Sequence, residues 1–134
     1  MTQDVMQAVE VDAPPERVWR LLTDPAELAR WWPDAAQLEP RAGGRIVLAF
    51  GPGDVSGEVT TWEPPTALGF TWVPSNMPGV SLHVAFTVDD LGDGRSRVSV
   101  VHSGFEQAPA EAREAVVGGW AHFLPRLAEV AREE

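Results

Sequence analysis

The sequence predicts an α+β fold: an antiparallel sheet of about six to seven strands, two short helices after the first strand, and one long C-terminal helix. Three observations carry this prediction. Apolar and polar residues alternate with a period of two from residue 36 to 103. The tail, residues 109–133, returns to the helical period, with Val116, Trp120, Phe123, Leu124, Leu127 and Val130 on one stripe. Strands in a run with helices segregated at either end define the α+β class.

Each element follows from its residues. Residues 5–11 alternate, with Val5, Val9 and Val11 on one parity and Gln7 as the exception, so they read as a half-buried strand. Asp12 followed by Pro14-Pro15 is a helix-start signal, because proline lacks an N–H that has no partner in the first turn. Val18, Leu21 and Leu22 give that helix an apolar face, and Asp24-Pro25 ends it. A second short helix is predicted over 26–32, stopped by Pro33. Gly43-Gly44 turns the chain into a strand at Arg45, and Gly51-Pro52-Gly53-Asp54 closes it. Residues 55–62 and 67–73 follow as strands around Pro64-Pro65, the second with Leu68, Phe70 and Trp72 on one face. After an irregular loop at 74–79, Leu82, Val84, Phe86 and Val88 alternate. Asp93-Gly94 marks a hairpin, and Val98, Val100 and His102 alternate on the last strand. The tail helix would run roughly 37 Å at about 1.5 Å per residue, with a kink expected near Ala121 from Pro125. A sheet with one apolar face needs a cover, and this helix is the element long enough to supply it.

Composition removes several functions. The 134 residues, 44% of them hydrophobic, suit one domain spanning 1–134 with a substantial core. The chain has no Cys, which excludes disulfides, thiol nucleophiles and Cys-ligated metals. All ten basic residues are Arg, so Schiff-base and P-loop lysine chemistry is excluded. A net charge of −10 argues against nucleic acid and anionic membrane surfaces as partners. No apolar run is long enough for membrane insertion, and the N-terminal residues lack the pattern of a signal peptide. A cytoplasmic domain is the resulting expectation. The Lys-free, Arg-only composition looks bacterial.

Several ordered motifs resemble the START-like or SRPBCC superfamily, the helix-grip or birch-pollen-allergen fold, and within it the activator-of-heat-shock-ATPase (Aha1-type) branch. They are Pro15-Glu16-Arg17-Val18-Trp19, Leu28-Ala29-Arg30-Trp31-Trp32-Pro33, Gly43-Gly44-Arg45 and Gly57-Glu58-Val59. Then come Pro64-Pro65-Thr66-Ala67-Leu68 with Phe70-Thr71-Trp72, Asp93-Gly94-Arg95, and His102-Ser103-Gly104-Phe105. Gly119-Trp120 with Leu124 and Leu127 completes the set. The resemblance covers nearly the whole chain. It implies a curved antiparallel sheet wrapped around the C-terminal helix, with a cavity between them that commonly holds hydrophobic small molecules. Members include polyketide cyclases or aromatases, binding proteins, and stimulators of a chaperone ATPase. The fold alone does not choose among these.

The candidate ligand-binding residues are Trp31, Trp32, Leu48, Phe50, Val59, Phe70, Trp72, Val84, Phe86, Val100, His102, Trp120, Phe123, Leu124 and Leu127. Each apolar member also reads as plain core, and a pocket wall and a core wall are made of the same residues. His102 shares its parity with Val98 and Val100, so it faces inward, as either a hydrogen-bonded structural group or a ligand contact. Arg45, Glu58 and Glu63 read as surface groups. His83, His102 and His122 have no metal-ligand spacing, so no metal site and no cofactor are expected. Gly118-Gly119 inside the helix points to close approach of the sheet backbone, with room for a ligand as the alternative.

Three functions fit these residues. Binding of a hydrophobic small molecule needs only the fold and apolar walls. A cyclase- or hydrolase-like enzyme needs converging polar groups, for which the sequence offers His102 with Ser81, Thr61 or Ser99, and no signature motif. A chaperone ATPase regulator is weakened by the lack of an additional N-terminal domain. The reading favours binding and leans away from an enzyme. An exposed edge strand leaves homodimer pairing open.

Overall fold

The structure is a computed structural model and describes residues 4–51, 53–77 and 79–133. Pro52 and Pro78 of the two loops, and Met1, Thr2 and Gln3 of the segment read for a signal peptide, lie outside the described residues.

Strand β1 (Val5–Val11) leads into helices α1 (Pro15–Thr23) and α2 (Pro25–Leu28). Strands β2 (Ala35–Leu38), β3 (Arg45–Ala49), β4 (Asp54–Glu63), β5 (Ala67–Pro74), β6 (Leu82–Gly92) and β7 (Arg95–Ser103) follow. A 3₁₀ turn at Phe105–Gln107 precedes helix α3 (Ala110–Ala131). The seven strands form one curved antiparallel sheet in the order β1-β7-β6-β5-β4-β3-β2. Strands β2 to β7 are therefore a meander, and β1 returns to pair with β7 at the far edge. The α+β prediction holds.

Register sets which side chains face α3. Val84 pairs with His102 and Phe86 with Val100 across β6 and β7. Phe70 pairs with Val84 and Leu68 with Phe86 across β5 and β6. Because a strand repeats every two residues, these in-register partners share one face. That face is buried, as are Trp120, Leu124, Leu127 and Val130 on α3. Gln7, the exception on β1, has its own account: its side-chain amide donates to the carbonyl of Val117 at 3.0 Å and ties β1 to α3.

Local readings of the helices need correction. Asp12 does not cap α1. The cap position is Pro14, with Pro15 opening the helix, and Asp12 instead pairs with Arg95 at 3.4 Å. The second helix is shorter than 26–32. Asp24 caps it, its Oδ1 accepting from the N–H of Ala26 at 2.9 Å and of Glu27 at 3.3 Å, and it ends at Leu28. The turn that follows carries Trp31 and Trp32 into the interior. Trp31 is anchored there by its indole N–H, which donates to the Leu21 carbonyl at 2.8 Å. Pro125 lies inside helix α3, as predicted. Gly118 and Gly119 do not mark a close approach, since a Cβ at either would meet nothing within 4 Å outside the helix itself. The close approach is at Gly57 on β4, where a Cβ would lie 1.8 Å from the Thr71 carbonyl oxygen.

Candidate functional site

The core beneath α3 is built around one indole. Trp32 stacks on Trp31 at 5.4 Å and on Trp72 at 5.7 Å between ring centroids. It also meets Phe50, Phe70, Phe86 and Trp120 at 4.9 to 6.2 Å. Such centroid separations are those of favourable aromatic pairs. Aromatic residues reach Trp32 from the turn after α2, the end of β3, the inward parity of β5 and β6, and α3. The side chains do not fill all the space they enclose.

A cavity of about 270 Å³ remains between the sheet and α3. That volume lies near the low end of small-molecule sites, which begin at roughly 300 Å³. Its buried lining includes Trp32, Val55, Trp120 and His102, while Asp54, Asn76 and Ala115 are exposed and mark its mouth. Half-buried Phe50, Trp72 and Phe123 stand between floor and mouth. On the α3 side, Gly119 leaves open the space that a side chain would take. Of the two readings of the Gly118-Gly119 pair, room beside the helix is the one the geometry matches, and Gly119 supplies it.

His102 is the polar feature of the floor. It is 1% exposed. The Trp120 indole N–H donates to its Nδ1 at 3.1 Å. An indole nitrogen only donates, so Nδ1 must present its lone pair and the neutral ring carries its proton on Nε2. Nε2 is buried with no protein partner among the described residues. The ring is enclosed by Trp72 at 4.9 Å and Phe105 at 5.2 Å. Desolvation by burial, with a smaller contribution from the charge of His83, pushes its pKa from 6.5 down to about 3. His102 is therefore neutral at ordinary pH and is a weak base.

Of the fifteen predicted ligand residues, six line the cavity: Trp32, Phe50, Trp72, His102, Trp120 and Phe123. The other nine do not. Trp31, Leu48, Val59, Phe70, Val84, Phe86, Val100, Leu124 and Leu127 are buried in the solid core. Leu48, Phe70 and Val100 share parity with the lining residues Phe50, Trp72 and His102 two positions on, and Trp31 stacks on Trp32. Lining residues outside the predicted set are Gly53, Asp54 and Val55 around the start of β4, Pro74, Asn76 and Met77 at the end of β5 and in the loop after it, and Ala112, Ala115 and Val116 from α3. Small residues at 112, 115 and 119, spaced three and four apart, were the available signal. Thr61, Ser81 and Ser99 are not among the lining residues. Arg45, Glu58 and Glu63 are exposed. Among the described residues, no group of three His, Asp or Glu is placed to hold a metal ion.

A curved antiparallel sheet gripping one long helix over an apolar cavity defines the START-like, SRPBCC class. Residues 12–132 match the family described as activator of Hsp90 ATPase homolog 1-like protein, and the chain belongs to that family. Solved structures agree. Protein MLL2253 from Mesorhizobium loti is similar over 97% of both chains, with 25% identity and a TM-score of 0.88. DynU16, from the dynemicin biosynthetic locus, is similar over 98% of this chain, with 26% identity and a TM-score of 0.86. The chain spans about half of DynU16, 48% of its length. The Aha1 dimer from Colwellia psychrerythraea shares the fold, with a TM-score of 0.80 at 20% identity over 96% of this chain and 95% of that one. No curated protein matches the chain.

Proposed function

We propose that this protein binds a hydrophobic small molecule in the cavity between its sheet and α3. The observation that carries the reading is the cavity itself: aromatic rings close it on the sheet side, and Gly119 keeps it open on the helix side. Burying apolar ligand surface there is favourable at roughly 25 cal/mol per Å² before the costs of association. The lining offers little for chemistry. His102 is held neutral with its lone pair engaged by Trp120, and Asp54 and Asn76 stand at the mouth, not beside it on the floor. The exposed large apolar side chains Met6, Val73, Leu91 and Val117 are spread over four elements, which gives less support to a partner-protein surface. A cytoplasmic location belongs to this reading. Among the described residues no helix is long and apolar enough to cross a membrane.

Native mass spectrometry of freshly purified protein, followed by the same sample denatured, tests it. A mass excess that disappears on denaturation supports the carrier reading and gives the ligand mass. A clean apo mass shifts weight to an enzyme that holds its substrate transiently, or to a chaperone regulator. The same spectrum reads whether the protein is a monomer or a homodimer.

A further inference from the structure

We propose that residues 106–119 form a strap that opens and closes over the cavity as one unit, hinged at Gly118-Gly119 and latched by Gln7. The motion belongs to the chain itself, and its use as the way in rests on the cavity being a ligand site.

Three observations lead there. First, the segment is held at its ends and hardly in between. Phe105 and Trp120 flank it, and both are buried. Both dock on His102, Phe105 with its ring at 5.2 Å and Trp120 through the 3.1 Å bond to Nδ1. Among the described side chains between them, Ala112 alone is buried. From residue 120 onward, α3 buries Trp120, Leu124, Leu127, Val130 and Ala131. One helix therefore has two halves of unequal burial, and a segment with few buried apolar contacts opens locally before the rest. Second, the boundary between the halves is weak. Gly118 and Gly119 lie there, each costing a helix about 1 kcal/mol relative to Ala, and no close packing at either offsets that. Just beyond, Pro125 lacks the N–H that the Ala121 carbonyl would accept from. Small residues of this kind often absorb the backbone change at a hinge. Third, the strap is a wall of the cavity. Ala112, Ala115, Val116 and Gly119 line it, and Ala115 stands at the mouth. Gln7 on β1 reaches across and holds the strap down, its amide donating to the Val117 carbonyl at 3.0 Å. Opening breaks that bond and widens the mouth, while both anchors stay on His102.

Amide hydrogen exchange of the unliganded protein, read by NMR, tests the motion. Rates corrected for sequence should be at least about a hundredfold faster for residues 114–119 than for residues 124–130. Even protection along α3 overturns the strap. Indane, a small apolar ring compound, is the probe for entry, and its association and dissociation rates come from NMR line shapes during titration. Two variants outside the cavity lining move the opening in opposite directions. Gly118→Ala stiffens the hinge and should slow both rates about fivefold, the equivalent of about 1 kcal/mol. Gln7→Met removes the latch donor at similar length and should speed both by about the same factor, as for one net hydrogen bond. The dissociation constant should stay within about twofold in each variant, because the strap is closed in the free and the bound protein alike. Rates that ignore both variants, or a change confined to dissociation, overturn entry past the strap. Absence of indane binding overturns the cavity reading instead, and the exchange pattern alone then decides the strap.

Discussion

The Trp120 indole N–H donates to His102 Nδ1 at 3.1 Å, and this bond joins the long helix to the last strand of the sheet. It satisfies both buried groups at once. It also decides the protonation of a histidine that no solvent reaches, because the donor has no second role available to it.

The first expectation concerns acid. Burial holds His102 at about 3 in the folded protein, against 6.5 for the free side chain. Between those values the unfolded chain takes up a proton that the folded chain refuses. The stability contributed by this group is complete above pH 6.5 and is lost as pH falls toward 3. From pH 7 to 5 the loss should be about 2 kcal/mol, at roughly 1.4 kcal/mol per unit. Urea midpoints of the wild type and of His102→Gln at both pH values check this. The variant should lose less by about that amount, and equal losses would mean His102 is already protonated in the fold.

The partner in that bond should show two separable effects. Trp120 is buried and packs edge-to-face on Phe86 at 5.5 Å. Trp120→Ala should cost roughly 3–5 kcal/mol, as for other buried aromatics. Trp120→Phe keeps most of the ring but leaves Nδ1 without its donor, for a cost of about 1–3 kcal/mol. Thermal melts of both give the order. An unchanged midpoint for Trp120→Ala would remove Trp120 from the core.

Which parts of this arrangement were legible follows from the range of each signal. The parity of Val98, Val100 and His102 is a local pattern, and it put the histidine on the inner face. The stripe through Trp120, Leu124 and Leu127 is equally local and identified the buried side of α3. Parity cannot say how far along a strand the packing ends. Leu48 and Phe50 share one parity on and just beyond β3, yet Leu48 is core and Phe50 lines the cavity. Asn76 and Met77 reach the mouth through a loop with no period to read. Gly57 and Gly119 are alike as letters and opposite in role. The difference lies in what stands opposite each: a carbonyl for Gly57 and open space for Gly119.

A third expectation concerns the ion pair under α1. Arg17 is buried, and its guanidinium is paired with the carboxylate of Glu27 on α2. Glu27 also accepts from Arg30 at 2.7 Å. The hydrogen bond from Arg30 is the largest influence and, with Arg17, holds the Glu27 pKa below 4.5 against the opposing effect of burial. A lowered carboxylate pKa contributes stability above 4.5 that is lost as pH falls through the folded value. Glu27→Gln should destabilise by about 2–4 kcal/mol at pH 7, since it weakens the partner of a buried cation. Arg30 also pairs with Glu133 on the surface at 2.9 Å, and removing that exposed pair with Glu133→Gln should have little effect. Chemical denaturation of the two variants measures the contrast, and equal small effects would mean Arg17 is satisfied without Glu27.

The glycines give the last expectation, because three positions separate backbone cost, helix propensity and cavity volume. Gly57→Ala drives a Cβ into the Thr71 carbonyl. Strands β4 and β5 must move apart there, and the variant should lose several kcal/mol or fail to fold. Gly118 is exposed in mid-helix with nothing near it. Gly118→Ala should therefore stabilise by about 1 kcal/mol through propensity alone, and Gly118→Leu should leave indane binding unchanged. Gly119 has the same backbone setting but lines the cavity. Gly119→Ala should also raise the melting midpoint. Gly119→Leu should seat its side chain among Trp72, Trp120 and Phe123, keep the fold, and abolish indane binding. Melting curves and NMR titrations on the same samples read both effects. Full binding by a folded Gly119→Leu protein would show that the ligand does not occupy the space beside α3.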